Sequence, residues 1–211
     1  MRLRLYDHPL SGNAYKVRWL LHALALPYET VAVDFHPGRE HRSERFRATV
    51  NPRGEIPVLE HDGQMLADSG AILRHLATHH DPSRHWLPED AAVRARIDAA
   101  LALADELSRT VAAARLHLSF GLPADLAACQ RAGRAVLRVL DDRLAARAVL
   151  GAPWLADARP TIADIACFPY AALCREAGLD PLEWPALRAW IDALRHHACF
   201  IPMPGILAPQ A

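Results

Sequence analysis

With 211 residues, 52% hydrophobic and 23% charged, the chain is long enough for one large or two small domains and is too apolar to be disordered. Lys plus Arg, 24, equals Asp plus Glu, 24, and no long basic run appears, so nothing marks a nucleic-acid surface. No stretch of about 20 apolar residues is present to span a membrane.

The apolar run in "MRLRLYDH" is too short for a signal peptide, and a cytoplasmic chain is expected. The cysteines, Cys129, Cys167, Cys174 and Cys199, form no C-x-x-C pair and lie in apolar, helix-like segments, so they read as reduced buried thiols. Lys16 is the single lysine, which reads as coding bias toward arginine.

Taken in chain order, "RLRLY" is strand-like. Val17, Leu20, Leu21 and Leu24 then recur at helical spacing, and Pro27 ends that helix. "YETVAVDF" reads as a second strand, and a short polar helix is expected over 42 to 49. "EIPVLEHDGQMLA" reads as two strands joined by a tight turn at Asp62-Gly63, followed by a helix over 69 to 79. This is a mixed α/β unit. "HHDPSRHWLPED" reads as a linker. Beyond it three segments keep helical spacing: Val93 to Ala104, Cys129 to Leu144, and Leu187 to Leu194. The second unit is therefore all-α. Within it, Thr161 and Asp164 in "RPTIADIACFPY" are spaced as a capping box, a folding signal worth about 1 kcal/mol.

Three short stretches have chemical potential. Ser11 stands between the first strand and the first helix, where unpaired amides and the helix dipole favour an anion. Its hydroxyl can cap the helix or donate to a ligand. Pro57, inside the apolar run "NPRGEIPVLE", marks an edge or a bend and is a candidate cis proline. A bend there frees the N–H and C=O of Ile56 to pair with an extended peptide; the plain alternative is an edge strand. In "ADSGAIL", Ser69 is a good helix cap, and Asp68 is placed to pair with an ammonium. An amino-acid head group, with both charges, fits that pair.

"PLSGNAYKVRWLL", "NPRGEIPVLE", "ADSGAIL" and "RPTIADIACFPY", in this order and spacing, resemble the cytosolic glutathione transferases over nearly the whole chain. The resemblance is to serine-type, theta- or phi-like branches. It implies an α/β thioredoxin-like N-terminal domain over 1–79, a linker over 80–88 and an all-α C-terminal domain over 89–211. It also implies a likeness in function: conjugation of glutathione, as co-substrate, to a small hydrophobic electrophile by a homodimer. Ser11 would be the active-site hydroxyl, supported by Asn13. Ile56, before a cis Pro57, would hold the cysteinyl backbone of glutathione. Asp68 and Ser69 would hold its γ-glutamyl end, and His41 and Arg42 would face its glycine carboxylate. Glu55 departs from the neutral Gln of several branches and would weaken binding of an anionic peptide unless it meets a positive charge. Leu10, Tyr15, Arg109 and Phe120 would line the electrophile pocket.

A free thiol of pKa about 8.5 is only a few per cent thiolate at pH 7. Lowering it by about two units takes roughly 2.7 kcal/mol. A hydroxyl donor at a helix head supplies an effect of that size. Position 11 holds no Cys, which excludes mixed-disulfide chemistry there, and no G-x-S-x-G elbow points to a serine hydrolase. Isomerisation or reductive dehalogenation by the same thiolate, or a non-catalytic binding role, remain as alternatives. No metal is expected: His79-His80 and His196-His197 are adjacent pairs whose rings point about 100° apart on a helix, and no H-E-x-x-H occurs.

Overall fold

The computed structural model describes residues 2–209. The first unit is a thioredoxin-like α/β layer, built in the order β1 (Leu3–Asp7), α1 (Gly12–Ala23), β2 (Glu29–Ala32), α2 (Glu44–Thr49), β3 (Val58–His61), β4 (Gln64–Ala67) and α3 (Ser69–His80). The sheet order is β2-β1-β3-β4. β1 and β2 run parallel, as a crossover through α1 requires, and the β3–β4 hairpin is antiparallel. Asp62 and Gly63 turn that hairpin with φ of 48° and 86°, the left-handed pair that a two-residue turn needs.

Alternation along β1 splits its side chains between two faces. Leu3 and Leu5 join the main core, while Tyr6 packs beside Val33, Phe46 and Ile56 on the other face. The second unit is helical: α4 (Ala91–Arg109), α5 (Val111–Phe120), α6 (Leu126–Val149), α7 (Ile162–Ala172) and α8 (Pro185–Arg195). α7 is buried along nearly its whole length and packs on α1, α3, α4 and α8, so one continuous core joins the two units. At that junction the Trp19 and Phe168 rings meet edge-on, with centroids 5.0 Å apart.

The Thr161–Asp164 capping box forms at the head of α7. Asp164 is fully buried and accepts from the Leu155 amide at 3.0 Å, the Thr161 amide at 2.9 Å and Trp190 Nε1 at 2.9 Å. It therefore ties α7 to the preceding loop and to α8 as well as capping its own helix.

Several local expectations need correction. α1 stops at Ala23, before Pro27, because Ala25 turns left-handed at φ 50° and its amide bonds to His22 O. Asp68, rather than Ser69, caps α3: its Oδ1 accepts from Ala71 N at 3.0 Å, and Ser69 is the first helical residue. Cys129 and Cys199 are only partly buried, in contrast to Cys167 and Cys174, and all four are free. Lys16 is also no mere compositional accident, since its side chain is buried with its ammonium 5.3 Å from the centre of the Tyr170 ring.

Candidate functional site

A cleft of about 510 Å³ opens where the heads of α1 and α3 and the 53–57 loop face α4 and α5. Ser11 stands at its floor. Its backbone is extended (φ −77°, ψ 112°), and its Oγ accepts from Ala14 N at 3.1 Å. That bond uses a lone pair and leaves the hydroxyl proton free to donate. Ser11 can therefore cap the helix and donate to a ligand at the same time. The loop before it is held from two sides. Arg18 on α1 binds Asp7 and reaches Pro9 O at 3.2 Å, while the buried Arg115 on α5 donates to Leu10 O at 2.9 Å and to Glu176 at 2.6 Å.

The 53–57 loop forms one wall. The Ile56-Pro57 peptide is cis, and neither the N–H nor the C=O of Ile56 makes a hydrogen bond among the described residues. Both are available to an extended peptide. Gly54, at φ 61°, lies against His41, and a Cβ there would meet His41 O at 2.6 Å. Only glycine permits that approach. Glu55 meets Arg53 Nε at 3.1 Å, so its charge has a partner within the chain.

Asp68 and Ser69 line the opposite wall, at the head of α3. Asp68 holds φ 76°, a conformation uncommon outside glycine, so the chain fixes this carboxylate at the rim. Asp105 on α4 lines the cleft too. Burial raises its carboxyl pKa and the Asp68 charge adds to that, against the pull of Lys16, Arg109 and Arg53.

At the far end, His41 and Arg42 also face the cleft. His41 is buried and stacks on Phe35 with ring centroids 4.2 Å apart. Its Nδ1 is buried without a hydrogen-bond partner among the described residues. Burial lowers its pKa to about 4, with Arg42, Arg39 and Arg47 pushing the same way, so the ring is neutral at pH 7. A neutral ring with an unused nitrogen, beside arginines, suits a carboxylate end group.

The remaining predicted residues divide. Asn13 lines the cleft, and its Oδ1 accepts from Ser108 Oγ at 3.1 Å. Leu10, Arg109 and Phe120 line the half facing α4 and α5. Tyr15 does not. It is wholly buried in the core, and its hydroxyl donates to Ile201 O at 2.6 Å. Two helical steps past Asn13, it points away from the helix head and into the junction with α7.

The sequence reading missed Tyr170, Asp105, Ser108 and Arg115, all of which line the cleft. Burial pushes the Tyr170 hydroxyl up to about 12, against the pull of Arg115 and the Asn13 amide, so it stays protonated. Tyr170 ends the stretch "RPTIADIACFPY", whose capping box and family likeness carry no sign that its last residue reaches the cleft. Asp105, Ser108 and Arg109 follow helical spacing along one line of α4, and that polar stripe beside the apolar one was the available clue.

Comparison with known proteins adds a family frame. Residues 1–78 match the N-terminal domain of glutathione S-transferases, and residues 123–193 match the C-terminal domain. A crystal structure of a glutathione S-transferase from Pseudomonas fluorescens is 33% identical, with a TM-score of 0.84 over 96% of this chain and 99% of that one. Ure2p in complex with glutathione is 26% identical, with a TM-score of 0.79 over 94% of this chain and 96% of that one. A maleylpyruvate isomerase from Ralstonia sp is 35% identical over 102 residues, 48% of this chain and 46% of that one. The chain spans under half the length of most of the curated relatives it matches. Among the described residues no helix is long and apolar enough to cross a membrane.

Proposed function

The chain belongs to the glutathione S-transferase family, and on that premise we propose that it conjugates the thiolate of glutathione to small hydrophobic electrophiles, as a member of the serine-type branches. The observation that carries this reading is the Ser11 hydroxyl, which caps α1 through a lone pair and keeps its proton for a sulfur anion at the helix head. Residues 1–79 hold the tripeptide and residues 89–211 supply the electrophile wall. The free Ile56 backbone pairs with the cysteinyl unit. Asp68, with Ser69, takes the γ-glutamyl ammonium and carboxylate. His41 and Arg42 take the glycine carboxylate.

In this reading the thiol proton passes to solvent. The thiolate, held by the Ser11 hydroxyl and the first-turn amides, attacks an electrophilic carbon, and that carbon releases its leaving group. Ser11 forms no bond to carbon. Leu10, Ala112, Leu116 and Phe120 provide an apolar surface for the second substrate. The protein works in the cytoplasm as a homodimer, which size-exclusion chromatography with light scattering tests directly.

Ultraviolet difference spectra of the glutathione complex test the central claim. A thiolate band near neutral pH is expected in the wild type. Ser11→Ala moves its titration upward and lowers turnover of a chlorinated nitroaromatic by roughly 10- to 100-fold, the loss expected for one charge-assisted hydrogen bond. An unshifted band in Ser11→Ala removes Ser11 from the mechanism.

A second reading, isomerisation of an acidic substrate by the same thiolate, is favoured by Arg109. It lines the second-substrate half of the cleft, and none of the ion pairs among the described residues includes it. The partial likeness to the Ralstonia isomerase supports the same reading. Glutathione-dependent turnover of an unsaturated dicarboxylate, lost in Arg109→Ala, would select it over conjugation.

A further inference from the structure

Away from the cleft, the fold gathers three imidazoles that the sequence separates. His61 ends β3, while His75 and His80 lie on the second half of α3. One ring nitrogen from each lies within 4.8 Å of the others. His61 Nδ1 and His75 Nε2 are 2.8 Å apart. The Nε2 of His80 is buried and has no hydrogen-bond partner among the described residues. All three rings are partly buried. α3 starts at the cleft, so its last residue lies about 16 Å further along the helix axis.

We propose that His61, His75 and His80 form a binding site for a divalent transition-metal ion of the zinc type, with the fourth position left to water. Tetrahedral zinc with Zn–N bonds of about 2.0–2.1 Å sets its ligand nitrogens about 3.3 Å apart. His61 Nδ1 and His75 Nε2, at 2.8 Å, are closer than that, and one nitrogen from each of the three rings lies within 4.8 Å of the others, so ring rotations bring them to ligating distance. Imidazole is a borderline ligand suited to zinc, copper and nickel rather than to calcium or magnesium.

The protonation balances without an added acid or base. The His61–His75 hydrogen bond holds one proton between two ring nitrogens that would both become ligands. On metal binding that proton moves to an outer nitrogen of its own ring, leaving two neutral donors. The outer nitrogen of His61, Nε2, already lies 3.6 Å from Asp62 Oδ2. Asp62 is itself held by Arg2 N, which donates to its Oδ1 at 2.7 Å. A carboxylate behind a ligating imidazole fixes the ring and raises its basicity. His79 stands outside the set, and its Nδ1 faces His75 O at 2.9 Å. The expectation of no metal rested on the adjacent histidine pairs and the missing H-E-x-x-H motif, and neither bears on ligands shared between β3 and α3. Two of these ligands are five residues apart on a helix, and the third comes from a strand.

The test uses the full chain, stripped with a chelator, and zinc chloride as the probe. Isothermal titration should show one zinc bound per chain, and cobalt should give the visible absorption of a four-coordinate site. Zinc should also raise the melting temperature of the wild type. His75→Ala and His80→Ala should each abolish the stoichiometric uptake, and Asp62→Asn should weaken it by about 10- to 100-fold. The exposed His196→Ala serves as the surface control and should bind as the wild type does. Circular dichroism of each zinc-free variant establishes that it is folded, and His80, at the helix end, is the variant least disruptive to folding. Uptake that is absent in the wild type, or equal in wild type and His80→Ala, overturns the proposal. Either result leaves the reading of the Ser11 cleft untouched, since no metal enters it.

Discussion

The ring of Tyr170 lies directly against Gly12: a Cβ at position 12 would come 2.8 Å from Tyr170 Cε1 and 2.9 Å from Cζ. The first residue of α1 and the last turns of α7 thus fix each other, and Ser11 sits next to that contact. Alanine is the better helix former by about 1 kcal/mol, yet here the contact should outweigh propensity. Tyr170 is buried, so its ring gives way only toward the cleft that it lines. Gly12→Ala should destabilise the protein by about 1–2 kcal/mol in urea unfolding. In a Tyr170→Leu background the same substitution should cost little or stabilise. Equal costs in the two backgrounds would show that the contact is not the cause.

Asp68 both caps α3 and offers a carboxylate to the cleft, and the two roles separate on substitution. Asn keeps the cap and tolerates a positive φ, so Asp68→Asn should leave the melting temperature nearly unchanged. It should weaken glutathione binding by roughly 10-fold or more, the loss of one charge-assisted contact. Asp68→Ala should add about 1 kcal/mol of lost stability. Calorimetry on the two variants distinguishes them.

Glu55 is already paired with Arg53, and both side chains are more than half exposed, at 51% and 71%. Exposed pairs contribute about 0–1 kcal/mol. Glu55→Gln should therefore change glutathione affinity by no more than about 2-fold, while Arg53→Ala, which uncovers the carboxylate, should weaken it more. A large gain in affinity for Glu55→Gln would mean that the carboxylate opposes the ligand despite its partner.

Lys16 gives a stability signature in alkali. Burial lowers its ammonium pKa to about 8 from the ordinary 10.5. Between those values the unfolded chain binds more protons than the folded one, so the Lys16 contribution to stability rises with pH through that window. The charging penalty is fully present below pH 8 and gone above 10.5. Tyrosines and cysteines with raised pKa values pull the other way, so the measurement is a difference. Lys16→Met should be more stable than the wild type near neutrality, by a margin that shrinks between about pH 8 and 10. A constant margin across that range would place the Lys16 titration elsewhere.

Much of the first unit follows from local signals. Val17, Leu20 and Leu21 make one apolar face of α1, and Asp62-Gly63 dictates a two-residue turn. Thr161 and Asp164 specify a helix start from their spacing alone. Ser11, Ile56 and Pro57 were also picked out, because a helix head and a proline beside a strand are features of neighbouring residues; the cap of α3 was assigned to Ser69, since Asp68 and Ser69 both suit that role and only the backbone shows which takes it. Tyr15 was not. Its fate depends on which side of α1 meets α7, and α7 is more than a hundred residues away in the chain.

By itself, then, the sequence determined the elements, their order and the short motifs that place a hydroxyl, a free backbone edge and a carboxylate at the ends of those elements. These are local properties, set by periodicity, capping and turn chemistry within a few residues. Only the tertiary structure decided that Tyr170 and Arg115 reach back to the head of α1, that Lys16 is buried under a ring, and that His61 joins His75 and His80. Those relations depend on how helices and strands distant in sequence pack together. The side chains that meet across such contacts leave no periodic trace in the chain that carries them.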